Sequence, residues 1–243
     1  MDGDGDFRSE EVTALRDEAD MVITNPPFSL FREFVSWMNE GGVEFLVIGN
    51  MNAISYKEIF PLIKDNKVWL GASKVGLTFK VPSSYPLTGS SCREDSAGNK
   101  FIYISNASWF TNIVHGRRKE PLELLNMEDN KRFNNSIKKK PNSYKKYDNY
   151  DAIEVPVTNG IPSDYDGVMG VPISFLHKYC PEQFEIVSGW NGGKTAPNPG
   201  AAVTPYLTKT GEEKFWNGPT VEKKATYFRV LIRHLTSEDS STH

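Results

Sequence analysis

The sequence has few of the residues that mark disulfide-rich, metal-binding or membrane proteins. Its 243 residues include two cysteines, Cys92 and Cys180, and four histidines, and none of them falls in a Cys-x-x-Cys or Cys/His spacing. We therefore expect neither a disulfide framework nor a metal site. No apolar run approaches the ~18 residues of a membrane span, and acidic residues follow Met1 where a signal peptide has basic ones. These absences predict a cytoplasmic protein with no membrane partner.

An excess of positive charge is also lacking, but only on average. The chain has 28 Lys+Arg against 31 Asp+Glu, a net charge of −3, which by itself argues against a nucleic-acid partner. Residues 1–115 carry 10 basic and 15 acidic groups, residues 116–150 carry 10 and 5, and residues 151–243 carry 8 and 11. The middle stretch, at +5, also contains Phe133, Tyr144 and Tyr147. This composition suits a solvated loop, and it equally suits a segment that contacts phosphates and stacks on bases.

The amino-terminal half has the pattern of an α/β domain. Residues 21–24 predict a buried strand, and apolar residues at helical spacing from Leu30 to Met38 predict a helix with Ser29 as N-cap and Gly41-Gly42 at its end. Residues 44–49 predict the returning parallel strand of a βαβ unit. Further runs predict a helix over 55–64, a strand over 77–81, and an antiparallel hairpin formed by 101–105 and 109–114 at the edge of the sheet.

The remainder of the chain changes to short β-like runs separated by Pro and Gly. These runs cover residues 152–157, 184–187, 201–207 and 227–232, and Pro172 opens a helical candidate over 173–179. We predict a boundary near residue 118, which divides the chain into an α/β domain (1–118) and a mixed, β-rich region (119–243).

The sequence Asn25-Pro26-Pro27-Phe28 follows the first predicted strand, at the sheet edge where open α/β folds bind ligands. The exocyclic amine of adenine is a poor nucleophile because its lone pair is delocalised into the ring. Two carbonyl acceptors, from the Asn25 side chain and the Pro26 backbone, favour a pyramidal nitrogen and free that lone pair. The consecutive prolines restrict the backbone to an extended conformation, and Phe28 offers a flat face to a flipped base. An ordinary strand-terminating turn is the alternative.

This turn and its surroundings resemble a known enzyme family. Asn-Pro-Pro-aromatic is the catalytic signature of the amino-group DNA methyltransferases. The run Ile-Thr-Asn-Pro-Pro-Phe-Ser-Leu-Phe-Arg-Glu-Phe resembles the EcoRI-type adenine-specific enzymes in particular. The resemblance extends from about residue 3 to about residue 190 of the chain. The resemblance implies a Rossmann-like class I methyltransferase sheet, present in part, followed by a target-recognition region. It implies restriction-modification activity: methyl transfer from S-adenosylmethionine to N6 of a flipped-out adenine in double-stranded DNA.

The same resemblance assigns further residues. Asp6 and Phe7 match the acidic-aromatic pair that contacts the cofactor adenine, and Leu30 and Phe31 border it, although a core role fits these two helix residues equally well. The segment containing Trp109 and Phe110 matches the one that packs on the flipped base opposite Phe28. Adjacent strand residues face opposite ways, so at most one of them does so. The predicted phosphate contacts are Arg117, Arg118, Lys138, Lys139, Lys140, Lys145 and Lys146.

One part of the family pattern is missing. The Gly-rich turn that binds the methionine end of the cofactor needs about two βαβ units before the catalytic strand, and only 24 residues precede Asn25. We therefore expect a truncated chain, an artificially shortened one, or one half of a split enzyme whose partner is a separate N-terminal segment. Apart from such a segment, we expect a monomer. Such a chain alone would bind S-adenosylmethionine weakly or not at all. A non-catalytic DNA-binding remnant or subunit, and a methyltransferase of RNA or protein glutamine, are the alternatives.

Overall fold

The computed structural model describes residues 5–73, 76–192 and 197–235. The α-helices are α1 (Glu10–Glu18), α2 (Phe31–Gly41), α3 (Phe60–Lys64), α4 (Met127–Phe133) and α5 (Asn135–Lys138). Short 3-10 helices cover Phe28–Leu30, Met51–Ser55, Gly116–Lys119, Thr158–Gly160 and Ile173–Lys178. The strands are β1 (Met21–Thr24), β2 (Glu44–Asn50), β3 (Trp69–Leu70), β4 (Leu77–Val81), β5 (Cys92–Glu94), β6 (Lys100–Ile104), β7 (Ala107–Thr111), β8 (Ile153–Glu154), β9 (Met169–Val171), β10 (Phe184–Trp190), β11 (Thr204–Leu207), β12 (Glu213–Trp216), β13 (Thr220–Val221), β14 (Lys224–Ala225) and β15 (Arg229–His234).

The chain divides into two compact units. The first comprises Met1–Ala53 and Val68–Ile113, and the second comprises Ile54–Lys67 and Val114–His243. The predicted boundary near residue 118 is close to Val114, where the long segment of the second unit begins. The sequence pattern did not predict that residues 54–67 also belong to the second unit. The fold is a mixed α/β arrangement with several sheets.

The first unit contains a four-stranded sheet in the order β1-β2-β7-β3. Strands β1 and β2 are parallel, whereas β7 is antiparallel to both β2 and β3. The crossover helix α2 buries Phe31, Phe34, Val35 and Met38, four of the five apolar residues that the helical spacing predicted, whereas Leu30 precedes the helix and is exposed. It ends at Gly42, whose φ of 67° is the left-handed conformation of a helix C-cap. The predicted βαβ unit is therefore confirmed.

Several expectations for this unit were wrong in detail. Strand β1 is an edge strand among the described residues, and Ile23 is 64% exposed, so the run is not buried. A 3-10 turn precedes α2, which moves the N-cap from Ser29 to Leu30. The second helix is only α3, with Pro61 in its first turn. The hairpin does not form, because β6 pairs with β4 and β5 whereas β7 lies between β2 and β3.

The second unit is built on the sheet β10-β15-β9-β8. Strands β8, β10 and β15 overlap the predicted β-like runs, whereas β9 was not predicted, and the predicted helix over 173–179 is a 3-10 helix. Trp190 is fully buried, and Tyr147 packs against its ring at a centroid distance of 4.7 Å. Beside this ring pair, the buried Arg229 donates hydrogen bonds to both carboxylate oxygens of Glu154, including one from Nε to Oε2 at 2.9 Å and one from Nη2 to Oε1 at 2.5 Å.

Candidate active site

The Asn25-Pro26-Pro27-Phe28 turn lies at the carboxyl end of β1, beside the carboxyl end of the parallel strand β2. Pro26 is buried, whereas Asn25, Pro27 and Phe28 are exposed, and 46% of the Phe28 surface is accessible. The buried proline therefore fixes the turn to the first unit, while the polar side chain and the ring on either side of it remain accessible to a ligand.

The backbone of the turn has the extended conformation that the two prolines predict. Pro27 has φ −55° and ψ 128°, and its carbonyl accepts a hydrogen bond from the Leu30 N–H at 3.0 Å, which starts the 3-10 turn. Within residues 5–73, 76–192 and 197–235, neither the Asn25 side chain nor the Pro26 carbonyl has a hydrogen-bond partner. The two acceptors that the amine chemistry requires are therefore both available.

Polar residues from two other strands reach the same edge of the sheet. Asn50 ends β2 and accepts the Asn52 N–H at 2.9 Å, and the Met51 N–H donates to the Asn106 carbonyl just before β7 at 2.7 Å. Sequence reasoning did not select Asn50 or Asn106. The available signal was the position of each asparagine at the end or the start of an apolar run, which becomes informative only when the strand order is known.

The structure distinguishes the two aromatic residues of β7. Phe110 is fully buried, and its ring contacts Phe31 of α2 at a centroid distance of 5.0 Å. Trp109 points to the opposite face of the sheet and is only partly buried. Its β2 partner is Ile48, the residue after Val47, and Val47 pairs with Thr24 at the end of β1. Trp109 is therefore on β7 near the edge of the sheet at which the Asn25 turn begins.

The residues expected to contact the cofactor are mostly engaged with other protein groups. Asp6 accepts hydrogen bonds from Arg8, both from its backbone N–H and from its guanidinium, and these bonds lower the pKa of the Asp6 carboxyl to about 2. The Phe7 ring packs edge-on against Phe34 and Trp37, each at a centroid distance of 5.2 Å. Phe7 therefore joins the amino-terminal segment to α2, whereas the bonds from Arg8 to Asp6 are local to that segment.

Leu30 and Phe31 have different surroundings. Phe31 is buried and fills the space beside Gly49, where a Cβ would lie 2.4 Å from its ring, so it belongs to the core. Leu30 is exposed beside the turn. Of the four residues predicted to contact S-adenosylmethionine, Leu30 is thus exposed, Asp6 and Phe7 are partly buried, and Phe31 is buried.

The predicted phosphate contacts also separate into groups. Arg118 is buried, donates to Asn66 Oδ1 at 2.8 Å, and lies over the Tyr179 ring, and burial lowers the pKa of its guanidinium. This environment is at odds with the predicted phosphate contact, because the guanidinium is enclosed by protein. Arg117, its neighbour in the same 3-10 helix, is partly buried.

The lysines differ in their partners. Lys145 pairs with Glu222 at 2.6 Å, and Lys146 pairs with Asp151 at 2.9 Å. The three remaining lysines of the prediction are Lys138, Lys139 and Lys140, which lie on or just after α5 and are exposed. They form no ion pair with another described residue.

Two features are absent from residues 5–73, 76–192 and 197–235. No group of three His, Cys, Asp or Glu side chains there has the arrangement of a metal site. In the same part of the chain, no helix combines the length and the apolar character needed to cross a membrane.

Comparison with known proteins gives consistent matches. Type II methyltransferase M.EcoRI of Escherichia coli is 44% identical over 234 residues, covering 96% of this chain and 63% of that protein. M.MpnI of Mycoplasma pneumoniae is 37% identical (95% of this chain, 69% of that protein), and M.MgeORF184P of Mycoplasma genitalium is 35% identical (96% and 70%). The chain thus spans about two thirds of the length of these relatives. No solved structure matches it.

The family description "adenine-specific methyltransferase EcoRI" matches residues 1–235, which include the Asn25 turn, the sheet that carries it and most of the second unit. Methyltransferases of this kind use S-adenosylmethionine in general and act on DNA. The chain belongs to the EcoRI-type adenine-specific methyltransferase family.

Proposed function

We propose that this chain provides the catalytic turn of a DNA methyltransferase that modifies the exocyclic N6 amine of adenine. The observation that carries the proposal is the pair of free acceptors at the end of β1, the Asn25 side-chain oxygen and the Pro26 carbonyl. Each accepts one hydrogen of the amine. Two such bonds hold the nitrogen in a pyramidal geometry and make its lone pair available as a nucleophile, so no acid-base side chain is required at the turn.

The aromatic residues of the first unit support a flipped base as the substrate. Phe28 presents an exposed ring directly after the two acceptors, and Trp109 is the residue of β7 that faces away from the α2 core. Stacking on an aromatic ring stabilises an extrahelical base by about 1–3 kcal/mol, which offsets part of the cost of unstacking it. We assign Phe28 to one face of the adenine, and Trp109, rather than Phe110, to the other.

The partner we propose is double-stranded DNA at a site-specific sequence, as in restriction-modification systems. The names of the relatives, all type II methyltransferases, support this substrate. The exposed Lys138, Lys139 and Lys140 contact phosphates, whereas Arg118 maintains the fold of the second unit. The charged contacts position the duplex and contribute no base specificity.

A second candidate is a non-catalytic DNA-binding subunit that needs a partner segment for methyl transfer. The observation that favours it is the engagement of Asp6, Phe7 and Phe31 with other protein groups, because these are the side chains expected to contact the methyl donor. In this case the chain alone has little or no activity, and the Asn25 turn functions only after the donor-binding part is supplied.

The test is the substitution Asn25→Ala in a preparation that methylates adenine, with whatever further segment that activity requires. We expect methyl transfer to fall by at least two orders of magnitude, comparable to the loss of a positioned acceptor in other active sites, while the affinity for duplex DNA changes little. Tritium incorporation and fluorescence anisotropy measure the two quantities. Asn39→Ala, near the far end of α2, is the matched control. Methylation retained at the wild-type rate by Asn25→Ala would exclude the proposed role.

A further inference from the structure

Helices α4 and α5 meet at a sharp corner that a single residue stabilises. Asn134 ends α4 and is the N-cap of α5, where its Oδ1 accepts the N–H groups of Ser136 at 3.0 Å and Ile137 at 3.3 Å. Its Nδ2 donates to the Asn159 carbonyl at 2.9 Å, which ties the corner to the body of the second unit. The angle between the two short helices is therefore fixed by side-chain hydrogen bonds rather than by the length of the helices.

The inner side of this corner is buried. Asn130 is fully buried and donates to the Leu125 carbonyl at 3.0 Å. Ile137 packs so closely over Gly160 that a Cβ there would lie 2.4 Å from its Cδ1. The Tyr144 hydroxyl donates to the Gly160 carbonyl at 2.7 Å, and burial raises the pKa of that hydroxyl to about 12. These contacts make the corner a rigid platform.

The exposed residues of the corner carry an excess of positive charge, although Glu128 and Asp129 lie in the first turn of α4. Between Asp129 and Asp148 the chain has seven basic side chains and no acidic one. Lys145 and Lys146 are paired with carboxylates. The other five are exposed and form no ion pair with another described residue: Lys131, Arg132, Lys138, Lys139 and Lys140. We name these five cations and Phe133 the basic corner.

Phe133 is the apolar residue of the basic corner. Its side chain is 60% exposed at the last position of α4, and the Arg132 guanidinium lies over its ring at 5.0 Å from the centroid. An exposed phenylalanine forgoes the ~1.5–3 kcal/mol that burial would provide. An exposed ring beside a guanidinium, on a segment rich in basic residues, has the properties of the apolar wedges that enter base steps while neighbouring basic groups contact phosphates.

We propose that Phe133 inserts between adjacent bases of duplex DNA and that the cations of the basic corner contact the phosphates on both sides of that step. The inference rests on the proposed function in taking DNA as the partner, and it adds a contact that the catalytic turn does not require. The exposed ring distinguishes this surface from a purely electrostatic one, since phosphate binding needs no aromatic group. Paired cations such as Lys145 contribute less, because a carboxylate already neutralises them.

The experiment measures the binding of the full chain to a fluorescent duplex of mixed sequence between 50 and 200 mM salt, on the order of the range where counterion release is resolved. We expect Phe133→Ala to weaken binding about tenfold without changing the slope of log K against log salt, because it removes stacking and no charge. The triple variant Lys138→Ala, Lys139→Ala, Lys140→Ala should reduce that slope by roughly 2–3. Phe215→Ala, on β12 and 67% exposed, is the matched control.

A duplex containing 2-aminopurine reports on insertion itself. Its fluorescence should rise when the wild-type chain or Phe133→Leu binds, since both provide an apolar wedge, and should not rise with Phe133→Ala. Wild-type affinity and fluorescence in Phe133→Ala, together with a reduced salt slope in the triple variant, would overturn the insertion and leave the proposed methylation intact. Phe133-dependent binding of duplex DNA, combined with wild-type methylation by Asn25→Ala in a preparation that includes the donor-binding segment, would instead contradict the proposed function.

Discussion

The two prolines of the catalytic turn have different roles. Pro26 is buried and anchors the turn, and its carbonyl remains free, whereas the carbonyl of Pro27 is used to start the 3-10 helix. Because both residues have a restricted φ, the acceptor geometry exists before a base arrives. The conformational entropy that a flexible loop would lose on binding is therefore small, and more of the binding free energy is available to hold the amine.

The separation of Trp109 from Phe110 gives the next prediction. Phe110→Ala should lower the free energy of unfolding by about 3–5 kcal/mol, because it removes a fully buried ring that packs on Phe31. Trp109→Ala should cost clearly less stability and should mainly reduce methyl transfer and base binding. Urea denaturation measures the first effect, and an adenine methylation assay measures the second.

Trp109→Phe is the control for this prediction. It keeps an aromatic face and should retain most of the methylation activity that Trp109→Ala loses. Equal loss of stability in the alanine variants of both residues would show that Trp109 is a core residue like Phe110. The assignment of the second stacking face would then have to move to another residue at the same edge.

At the scale of elements, the βαβ unit was predictable because its signals are local. The burial of Phe31, Phe34, Val35 and Met38 follows from their spacing along one helix, and Gly42 marks the end of that helix by its conformation. The exposed turn after β1 was predictable for the same reason, since a strand, two prolines and an aromatic residue are consecutive in the sequence, whereas its catalytic role is a proposal.

The pairing of β7 was not predictable from local sequence. A short connection between β6 and β7 favoured a hairpin, yet β7 is buried on most positions because it lies between β2 and β3. The engagement of Asp6 and the burial of Arg118 depend in the same way on other residues, Arg8 in one case and Asn66 in the other. Charge and residue type predict what a side chain offers, and only the tertiary structure decides whether it is already used.

The buried ion pair of the second unit joins separate elements and allows a prediction at this scale. Arg229 on β15 bonds to Glu154 on β8, and the Tyr147 hydroxyl also donates to Glu154. Burial opposes the charge of Arg229, but the hydrogen bonds and the charge of Glu154 outweigh it and raise the pKa of the guanidinium. Arg229→Met should destabilise the second unit by about 3–5 kcal/mol, because it leaves a buried carboxylate without its cation.

A double-mutant cycle in urea denaturation checks this origin. The combination of Glu154→Leu with Arg229→Met should recover much of the stability that Arg229→Met loses, since no unpaired charge remains. Additive losses in the double variant would show instead that packing around β8 and β15, rather than the buried charge, determines the effect.

At the scale of the whole molecule, the net charge of −3 is a poor guide to the partner. At physiological ionic strength charges are screened beyond about 8 Å, so the charges nearest the proposed duplex contact matter most, and there the five cations of the basic corner outnumber Glu128 and Asp129 of α4. Residues 116–150 have a net charge of +5, but the structure shows that some of their cations are buried or paired with carboxylates. What remains is concentrated on α4 and α5, where it is available to phosphates.

The last prediction concerns the affinity of the whole chain for S-adenosylmethionine. We expect isothermal titration calorimetry on the isolated chain to show a Kd of about 1 mM or weaker, equivalent to no more than about 4 kcal/mol of binding free energy. The reason is that Asp6 is bonded to Arg8, Phe7 packs on α2, and Phe31 lies in the core. Arg8→Ala releases the Asp6 carboxylate and is the variant most able to increase the affinity. Micromolar binding by the wild-type chain, abolished by Asp6→Ala, would show that the ion pair opens and that this carboxylate contacts the cofactor after all.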